Sequence, residues 1–134
     1  MNYWLVKSDP DTYSWHDLQK DGNTSWDGIR NYAARNHLKG MKKGDSVLVY
    51  HSGGESAVIG IASVSIEHFQ DPTTDEIAWL SVNLKAEKAL KQTVTLSQIK
   101  SDPRLKNMML IKIGRLSVMP VTNEEFEAIV ELGS

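Results

Sequence analysis

The sequence lacks cysteine, so the protein can form no disulfide and has no thiol nucleophile. We therefore expect a reducing compartment. Without cysteine, four scattered histidines (His16, His37, His51 and His68) do not supply the ligand spacing of a structural zinc site. The sequence also lacks a phosphate-cradling glycine loop and a dinucleotide-binding fingerprint, so we expect neither a metal nor another cofactor.

Long apolar runs are also missing. No segment approaches the roughly 20 apolar residues needed to cross a bilayer. The N-terminal residues do not follow the charged-then-apolar pattern of a signal peptide. We therefore expect no membrane partner, and a location in the cytoplasm if the source is bacterial or in the nucleus if it is eukaryotic.

The chain has no excess of positive charge. Fifteen Lys and Arg stand against 17 Asp and Glu, which gives a net charge of −2. Proteins that hold duplex nucleic acid through its phosphates are usually basic, so strong non-specific binding is not expected. The charge is uneven, because the segment from Glu124 to Glu131 is acidic and a local basic segment contains Arg30, Arg35, Lys39, Lys42 and Lys43. That segment fits a nucleic-acid reader that also uses a pocket, or an ordinary solvated helix.

Length and residue patterns predict the fold class. With 134 residues, 40% hydrophobic and 24% charged, the chain is expected to form a single domain over residues 1–134. Alternation and β-rich runs predict strands at Tyr3–Lys7, Val47–Tyr50, Ala57–Phe69, Trp79–Lys88, Met108–Ile113 and Arg115–Met119. Gly60, inside the third of these, predicts a bulge, a bend or a close approach to the backbone.

Capping patterns predict short helices between the strands. Ser14 with Asp17, Thr95 with Gln98, and Thr122 with Glu125 have the spacing of capping boxes, and they open helices to about Lys20, Ser101 and Leu132. A further helix is predicted from Ile29 to Lys39, between Gly28 and Gly40. Several strands with short helices and no βαβ rhythm predict a mixed α+β barrel.

The segment from Ser25 to Asn36 concentrates side chains that suit a planar polar ligand. It holds Trp26, two arginines and two asparagines within twelve residues. A flat aromatic face beside amide and guanidinium donors can bind a nucleobase. The alternative is that Trp26 fills the core while the polar residues line a solvated helix face. Trp4 and Trp15 are expected in the core.

Five blocks in this order resemble the EVE domain of the PUA-like superfamily: residues 3–10 (YWLVKSDP), 13–15 (YSW), 26–32 (WDGIRNY), 50–52 (YHS) and 115–122 (RLSVMPVT). The resemblance extends from Asn2 to about Leu132. It implies a PUA-like mixed β-barrel of about five to six strands flanked by short helices, with a pocket for a modified base. The related YTH domain reads methylated adenine in RNA through an aromatic cage. Asp9 and Ile29 stand where the family usually has Glu and Val.

The resemblance and the strand ends together indicate a set of site residues. The expected base-binding pocket contains Lys7, Ser8, Trp26, Asn31, His51, Ser52, Arg115 and Ser117, and the expected phosphate contacts are Arg30, Arg35 and Lys39. Trp26 would stack on the base, while Ser8 and Asn31 would read its edges. The alternatives are a helix-entry hydrogen bond for Asn31, and structural salt bridges for Arg30 (with Asp27 or another carboxylate) and for Arg115.

The resulting hypothesis is a non-catalytic module that recognises a modified nucleobase, such as 5-methylated or hydroxymethylated cytosine, in DNA or RNA. The base would be single-stranded or flipped from a duplex. A small hydrolase or nucleotide-processing enzyme using His51 is the rival from another class. Against it, His51 and Ser52 are adjacent on a strand and would point to opposite faces, and no Gly-x-Ser-x-Gly elbow is present. A protein-interaction domain using the acidic C-terminal helix is a third possibility. We expect a monomer.

Overall fold

The computed structural model describes residues 1–134. Six strands and five α-helices follow one another along the chain. The strands are β1 (Tyr3–Ser8), β2 (Asn23–Trp26), β3 (Ser46–His51), β4 (Ala57–Gln70), β5 (Leu80–Thr95) and β6 (Val118–Val121). The helices are α1 (Trp15–Asp21), α2 (Tyr32–Gly40), α3 (Leu96–Ser101), α4 (Met109–Lys112) and α5 (Asn123–Leu132), with a 3₁₀ turn at Pro103–Leu105.

One six-stranded sheet organises the molecule, in the order β2-β5-β4-β3-β1-β6. β1 and β3 run parallel, and every other pair of neighbours is antiparallel. The long β4–β5 hairpin contains several register shifts, which bend a sheet. β2 and β6 are its two edges, so the sheet does not close on itself. The predicted α+β class with about six strands and short flanking helices is confirmed, in the form of an open barrel.

The core is a single cluster of 30 buried hydrophobic residues, to which Trp4 and Trp15 belong as predicted. The Trp15 ring lies directly against the backbone of β4 at Gly60. A Cβ atom at Gly60 would come within 2.5 Å of that ring. The strand register also shifts between Val58 and Gly60, so this glycine marks both a bulge and a close approach. No helix is long and apolar enough to cross a membrane.

The three predicted capping boxes are all present. In α1, α3 and α5 the side chain of the N-cap residue accepts a hydrogen bond from the third residue's backbone, and that residue's side chain accepts one from the cap in return. Each box satisfies two backbone donors that a helix end leaves unpaired. These helices could be located from sequence because the whole interaction lies within four residues.

Three assignments from the sequence were wrong in type or position. The predicted strand Met108–Ile113 contains the four-residue helix α4, and the strand predicted at 115–119 lies at 118–121 as β6. The helix predicted from Ile29 begins at Tyr32, so Arg30 lies before it. The sequence also did not reveal the edge strand β2, which ends at Trp26.

Candidate nucleic-acid interface

A cavity of about 470 Å³ opens beside the carboxyl end of β1. That volume falls within the range of small-molecule sites. Its walls come from the end of β1, the loop that leads to α1, strand β2 and the loop that follows β2. The ten lining residues, of which three are hydrophobic, are Lys7, Ser8, Asp9, Thr12, Tyr13, Thr24, Ser25, Trp26, Asp27 and Ile29.

The loop after β1 is fastened to the ends of two parallel strands. Ser8 and His51 are register partners at the ends of β1 and β3. The Ser8 hydroxyl donates a hydrogen bond to the Tyr13 carbonyl oxygen, and Nε2 of His51 accepts one from the backbone N–H of Trp15 at 3.0 Å. These two side chains therefore fix the wall that carries Tyr13. Burial lowers the pKa of His51, which favours the neutral ring needed to accept this bond.

Trp26 is both a core residue and a wall of the cavity. It pairs with Val82 of β5 and is 7% exposed. The Tyr13 ring meets its indole edge to face, with ring centroids 6.1 Å apart. The two interpretations of Trp26 from sequence, core packing and ligand contact, are thus compatible in one side chain.

The four indole N–H groups differ in what they bind. Trp4 donates to Asp45 and Trp79 donates to Glu76, at 3.0 and 2.9 Å. The Trp15 N–H is buried without a partner. The Trp26 N–H also has no protein partner, but unlike the Trp15 N–H it is not fully buried. Trp26 is therefore the tryptophan whose donor is available to a ligand.

Three charged residues line the cavity: Lys7, Asp9 and Asp27, of which Lys7 and Asp27 have free donors or acceptors for a ligand. Nζ of Lys7 donates to the Gly114 carbonyl at 2.7 Å and lies 5.9 Å from the centroid of the Tyr50 ring. An ammonium carries three donors, so two remain for a ligand. The Asp27 carboxylate accepts no hydrogen bond from any other residue. Partial desolvation of this otherwise exposed residue and the nearby charge of Asp71 raise its pKa.

Asp71 fixes the loop that follows Trp26. This buried carboxylate accepts hydrogen bonds from the Gly28 backbone N–H at 2.8 Å, from Arg30 Nη1 at 2.9 Å, and from Thr73 N and Oγ1 at 2.7 and 2.6 Å. Burial alone would raise the pKa of Asp71, but these donors outweigh it and hold the pKa at about 2. Arg30 is therefore engaged in a salt bridge with Asp71 rather than with Asp27.

Five residues expected in the base-binding pocket do not line the cavity. Asn31 caps α2, where its Oδ1 accepts a hydrogen bond from Ala34 N at 3.0 Å. Ser52 is exposed, and its backbone N–H donates to the Ser8 carbonyl. The other three lie close to Lys7 and Ser8. His51 is the register partner of Ser8, and the Ser117 carbonyl accepts a hydrogen bond from the Lys7 backbone N–H. Arg115 is exposed and follows Gly114, whose carbonyl accepts from Nζ of Lys7. Lys7, Ser8 and Trp26 are the expected residues that the structure brings together.

The expected phosphate contacts lie beyond the cavity, on and before α2. Arg35 donates to the Ala78 carbonyl at 3.2 Å and to the Asn36 side chain, and it has no carboxylate partner. Lys39 is exposed on the same helix. Sequence reasoning missed seven lining residues: Asp9, Thr12, Tyr13, Thr24, Ser25, Asp27 and Ile29. A usable signal existed for Asp27, since it directly follows Trp26, but Thr24 and Ser25 depended on recognising β2.

Comparison with known proteins identifies the family. The EVE domain model matches residues 2–132. The chain belongs to the EVE domain family. This EVE domain is 32% identical to human thymocyte nuclear protein 1 over 165 aligned residues, which cover 98% of the chain and 73% of that protein.

Solved structures resemble this EVE domain closely. A protein from Agrobacterium tumefaciens superposes with a TM-score of 0.98 at 38% identity, covering 100% of this chain and 94% of that one. Human THYN1 protein, in complex with DNA that contains 5-methylcytosine, superposes with a TM-score of 0.93 at 30% identity, covering 100% of this chain and 98% of that one. The predicted family and fold are therefore confirmed.

Proposed function

We propose that this EVE domain is a binding module that recognises a modified base, of the 5-methylcytosine class, in DNA. The observation that carries the proposal is the cavity lined mainly by polar residues, one wall of which is the Trp26 indole, whose N–H has no protein partner. The similarity to human THYN1 protein, whose structure contains 5-methylcytosine DNA, supports DNA as the partner. RNA remains the other nucleic acid to be compared in the test.

The lining residues match the chemistry of a cytosine. Trp26 supplies an aromatic face, and stacking of a base on such a face is worth about 1–3 kcal/mol. The unpaired Asp27 carboxylate can accept from the exocyclic N4 amino group, as acidic side chains do with cytosine. Lys7 can donate to a ring acceptor or a phosphate. Ile29 is the aliphatic lining residue for a methyl group at C5.

Hydrolysis by His51 has no support in the local geometry. Its Nε2 already accepts from the Trp15 backbone, and no serine hydroxyl is hydrogen-bonded to the ring. A nucleophile and its general base need to be within hydrogen-bond reach of each other. The non-catalytic function is therefore the one we propose.

Entry of a base into the cavity implies a preference for unpaired strands. A base within a duplex must be unstacked and unpaired first, at a cost of a few kcal/mol. We therefore expect single-stranded DNA, or DNA in which the modified base is mismatched, to bind more tightly than a fully paired duplex.

The test is fluorescence anisotropy with nine-nucleotide single strands that carry a central 5-methylcytosine, 5-hydroxymethylcytosine or cytosine, as DNA and as RNA, at fixed salt. We expect the modified DNA to bind more tightly than the unmodified strand. Trp26→Ala should lose this preference, Trp26→Phe should retain part of it, and Asp27→Ala should weaken binding. Ile66→Ala, at an exposed position of β4 that does not line the cavity and is separated from Ser25 by β5, is the control. Equal binding of all strands by the wild type would reject the proposal.

A further inference from the structure

A second aromatic surface lies beside the cavity loop. We call the group formed by Tyr32, Arg35 and Trp79 the Tyr32 shelf. Tyr32, at the start of α2, is 61% exposed, and Ile77, in the loop between β4 and β5, is 84% exposed. Single exposed apolar residues are common on protein surfaces. Here, however, an exposed aromatic ring is combined with a guanidinium group in a fixed arrangement.

Contacts with the loop between β4 and β5 fix the position of the shelf. The Tyr32 ring packs on the Trp79 ring, with centroids 4.9 Å apart and planes inclined by 34°. Trp79 is 9% exposed, and its indole N–H donates to Glu76 at 2.9 Å. The Arg35 guanidinium lies over part of the Tyr32 ring, 5.2 Å from its centroid, and donates a hydrogen bond to the Ala78 carbonyl. A ring fixed in this way loses little conformational freedom when a ligand stacks on it.

The charge of the shelf suits a phosphodiester strand. Arg35 has no carboxylate partner, in contrast to Arg30, whose charge is offset by Asp71. Lys39 is exposed one helical turn beyond Arg35, on the same face of α2. The face therefore carries two positive charges that form no salt bridge, next to an exposed aromatic ring, and the Glu76 carboxylate bound to Trp79 is the acidic group of the shelf. Aromatic faces with positive charge beside them are the combination used to bind single-stranded nucleic acid.

The shelf is also placed to contact the strand that enters the cavity. Ile29 lines the cavity and Tyr32 begins the shelf three residues later, so their Cα atoms are at most roughly 11 Å apart. Asp71 joins the two parts, because it binds Gly28 on the cavity loop and begins the loop that carries Ile77 and Trp79. The cavity loop and the shelf are thus connected through Asp71, and the short chain between Ile29 and Tyr32 limits their separation.

We propose that the Tyr32 shelf is a second nucleotide-binding site, which stacks a base next to the one in the cavity and contacts its phosphate through Arg35. This inference rests on the proposed function, since it assigns the shelf to the strand whose modified base occupies the cavity. When the modified base is turned out of the base stack into the cavity, Tyr32 stacks on the neighbouring base. Arg35 and Lys39 contact the backbone.

The test compares a ligand that can reach only the cavity with one that can reach both sites. The two probes are 5-methyl-2′-deoxycytidine 5′-monophosphate, followed by NMR titration, and the nine-nucleotide single strand with a central 5-methylcytosine, followed by anisotropy. Tyr32→Ala should weaken binding of the nine-nucleotide strand roughly ten-fold or more, as expected for loss of one stacked base. It should leave binding of the mononucleotide unchanged. Tyr32→Phe should bind as the wild type does.

Two controls separate stacking from structural damage. Tyr32→Leu keeps Trp79 covered by an apolar side chain but removes the aromatic face, so it should lose affinity as Tyr32→Ala does while remaining folded. Ile66→Ala removes an exposed aliphatic side chain elsewhere, 53% exposed on β4, and should bind both probes normally.

The outcomes distinguish the shelf from the cavity. If Trp26→Ala loses binding of the nine-nucleotide strand and Tyr32→Ala does not, the shelf is rejected and the proposed function stands. If Tyr32→Ala loses it and Trp26→Ala does not, the shelf binds nucleic acid and the cavity function fails. If Tyr32→Ala weakens binding of both probes by the same factor, Tyr32 affects binding only through the structure of the cavity, and the second site is rejected. Absence of binding to either probe rejects both proposals.

Discussion

Asp71 accepts a hydrogen bond from the backbone N–H of Gly28, which precedes it by 43 residues, at 2.8 Å. Gly28 has a φ of 77°, a left-handed conformation that glycine adopts without strain. The bond therefore holds the turn after Trp26 in a conformation that depends on both residues. It also couples the cavity wall to the loop between β4 and β5.

The first prediction follows from this bond. Asp71→Ala leaves the Gly28 N–H and the Thr73 groups without their acceptor, so we expect a loss of about 1–3 kcal/mol in the free energy of unfolding. Urea denaturation measures this directly. Asp75→Ala, in the same loop, removes an exposed carboxylate that makes no hydrogen bond, and it should change stability by less than about 0.5 kcal/mol. Equal effects of the two substitutions would show that the contacts of Asp71 contribute nothing.

The second prediction concerns pH and His51. Because burial lowers the pKa of His51, the unfolded chain binds more protons than the folded one below about pH 6.5. Stability should therefore fall as the pH decreases from 7.5 to 5, where a protonated ring can no longer accept from Trp15. His51→Gln should flatten this dependence in part. A remainder is expected because burial lowers the pKa of His37 in the same direction. Thermal unfolding at several pH values gives both slopes, and an unchanged slope in His51→Gln would contradict the prediction.

Packing at Gly60 gives the third prediction. A methyl group there would overlap the Trp15 ring, so Gly60→Ala should destabilise the protein by about 1–3 kcal/mol through overpacking. Gly114→Ala is the matched control, since nothing lies within 4 Å of its Cβ position. The midpoints of urea unfolding for the two variants should differ clearly; coincident midpoints would mean that β4 shifts to accommodate the methyl group.

Asn31 provides the fourth prediction, because it tests helix capping against base recognition. Asn31→Ala should cost about 1 kcal/mol of stability, and Asn31→Asp should recover most of it, since both residues are good N-caps. Affinity for the modified strand, measured by anisotropy on folded protein, should change little in either variant. A large loss of affinity in Asn31→Asp without loss of stability would assign Asn31 to the base edge.

What could be predicted from sequence depended on the range of each interaction. The capping boxes at Ser14, Thr95 and Thr122 involve residues three positions apart, and all three were located. β2 was missed because Asn23 to Trp26 is short and largely polar, and its strand conformation comes from pairing with residues 82–85 of β5. The apolar run from Met108 to Ile113 predicts a strand but forms the helix α4, because composition alone does not separate a short strand from a short buried helix.

The same distinction applies to the candidate site. Lys7 and Ser8 could be proposed from their place at the end of a strand, and Trp26 from its composition and its family pattern. Tyr13 joins the cavity only because Ser8 and His51 fold its loop back, and His51 belongs to a different part of the chain. The partner of Arg30 could not be chosen from sequence either, since Asp71 lies 41 residues away.

The four hydrogen bonds to Asp71 also bear on how such a protein can diverge. Its two carboxylate oxygens accept from the backbone of Gly28 and from Arg30 and Thr73, so a substitution at position 71 leaves all of these donors without their acceptor. The side chains at positions 30, 71 and 73 should therefore change together during evolution. A relative without an acidic residue at the position of Asp71 should also differ in the turn after its Trp26, and a double-mutant cycle between positions 30 and 71 should be non-additive.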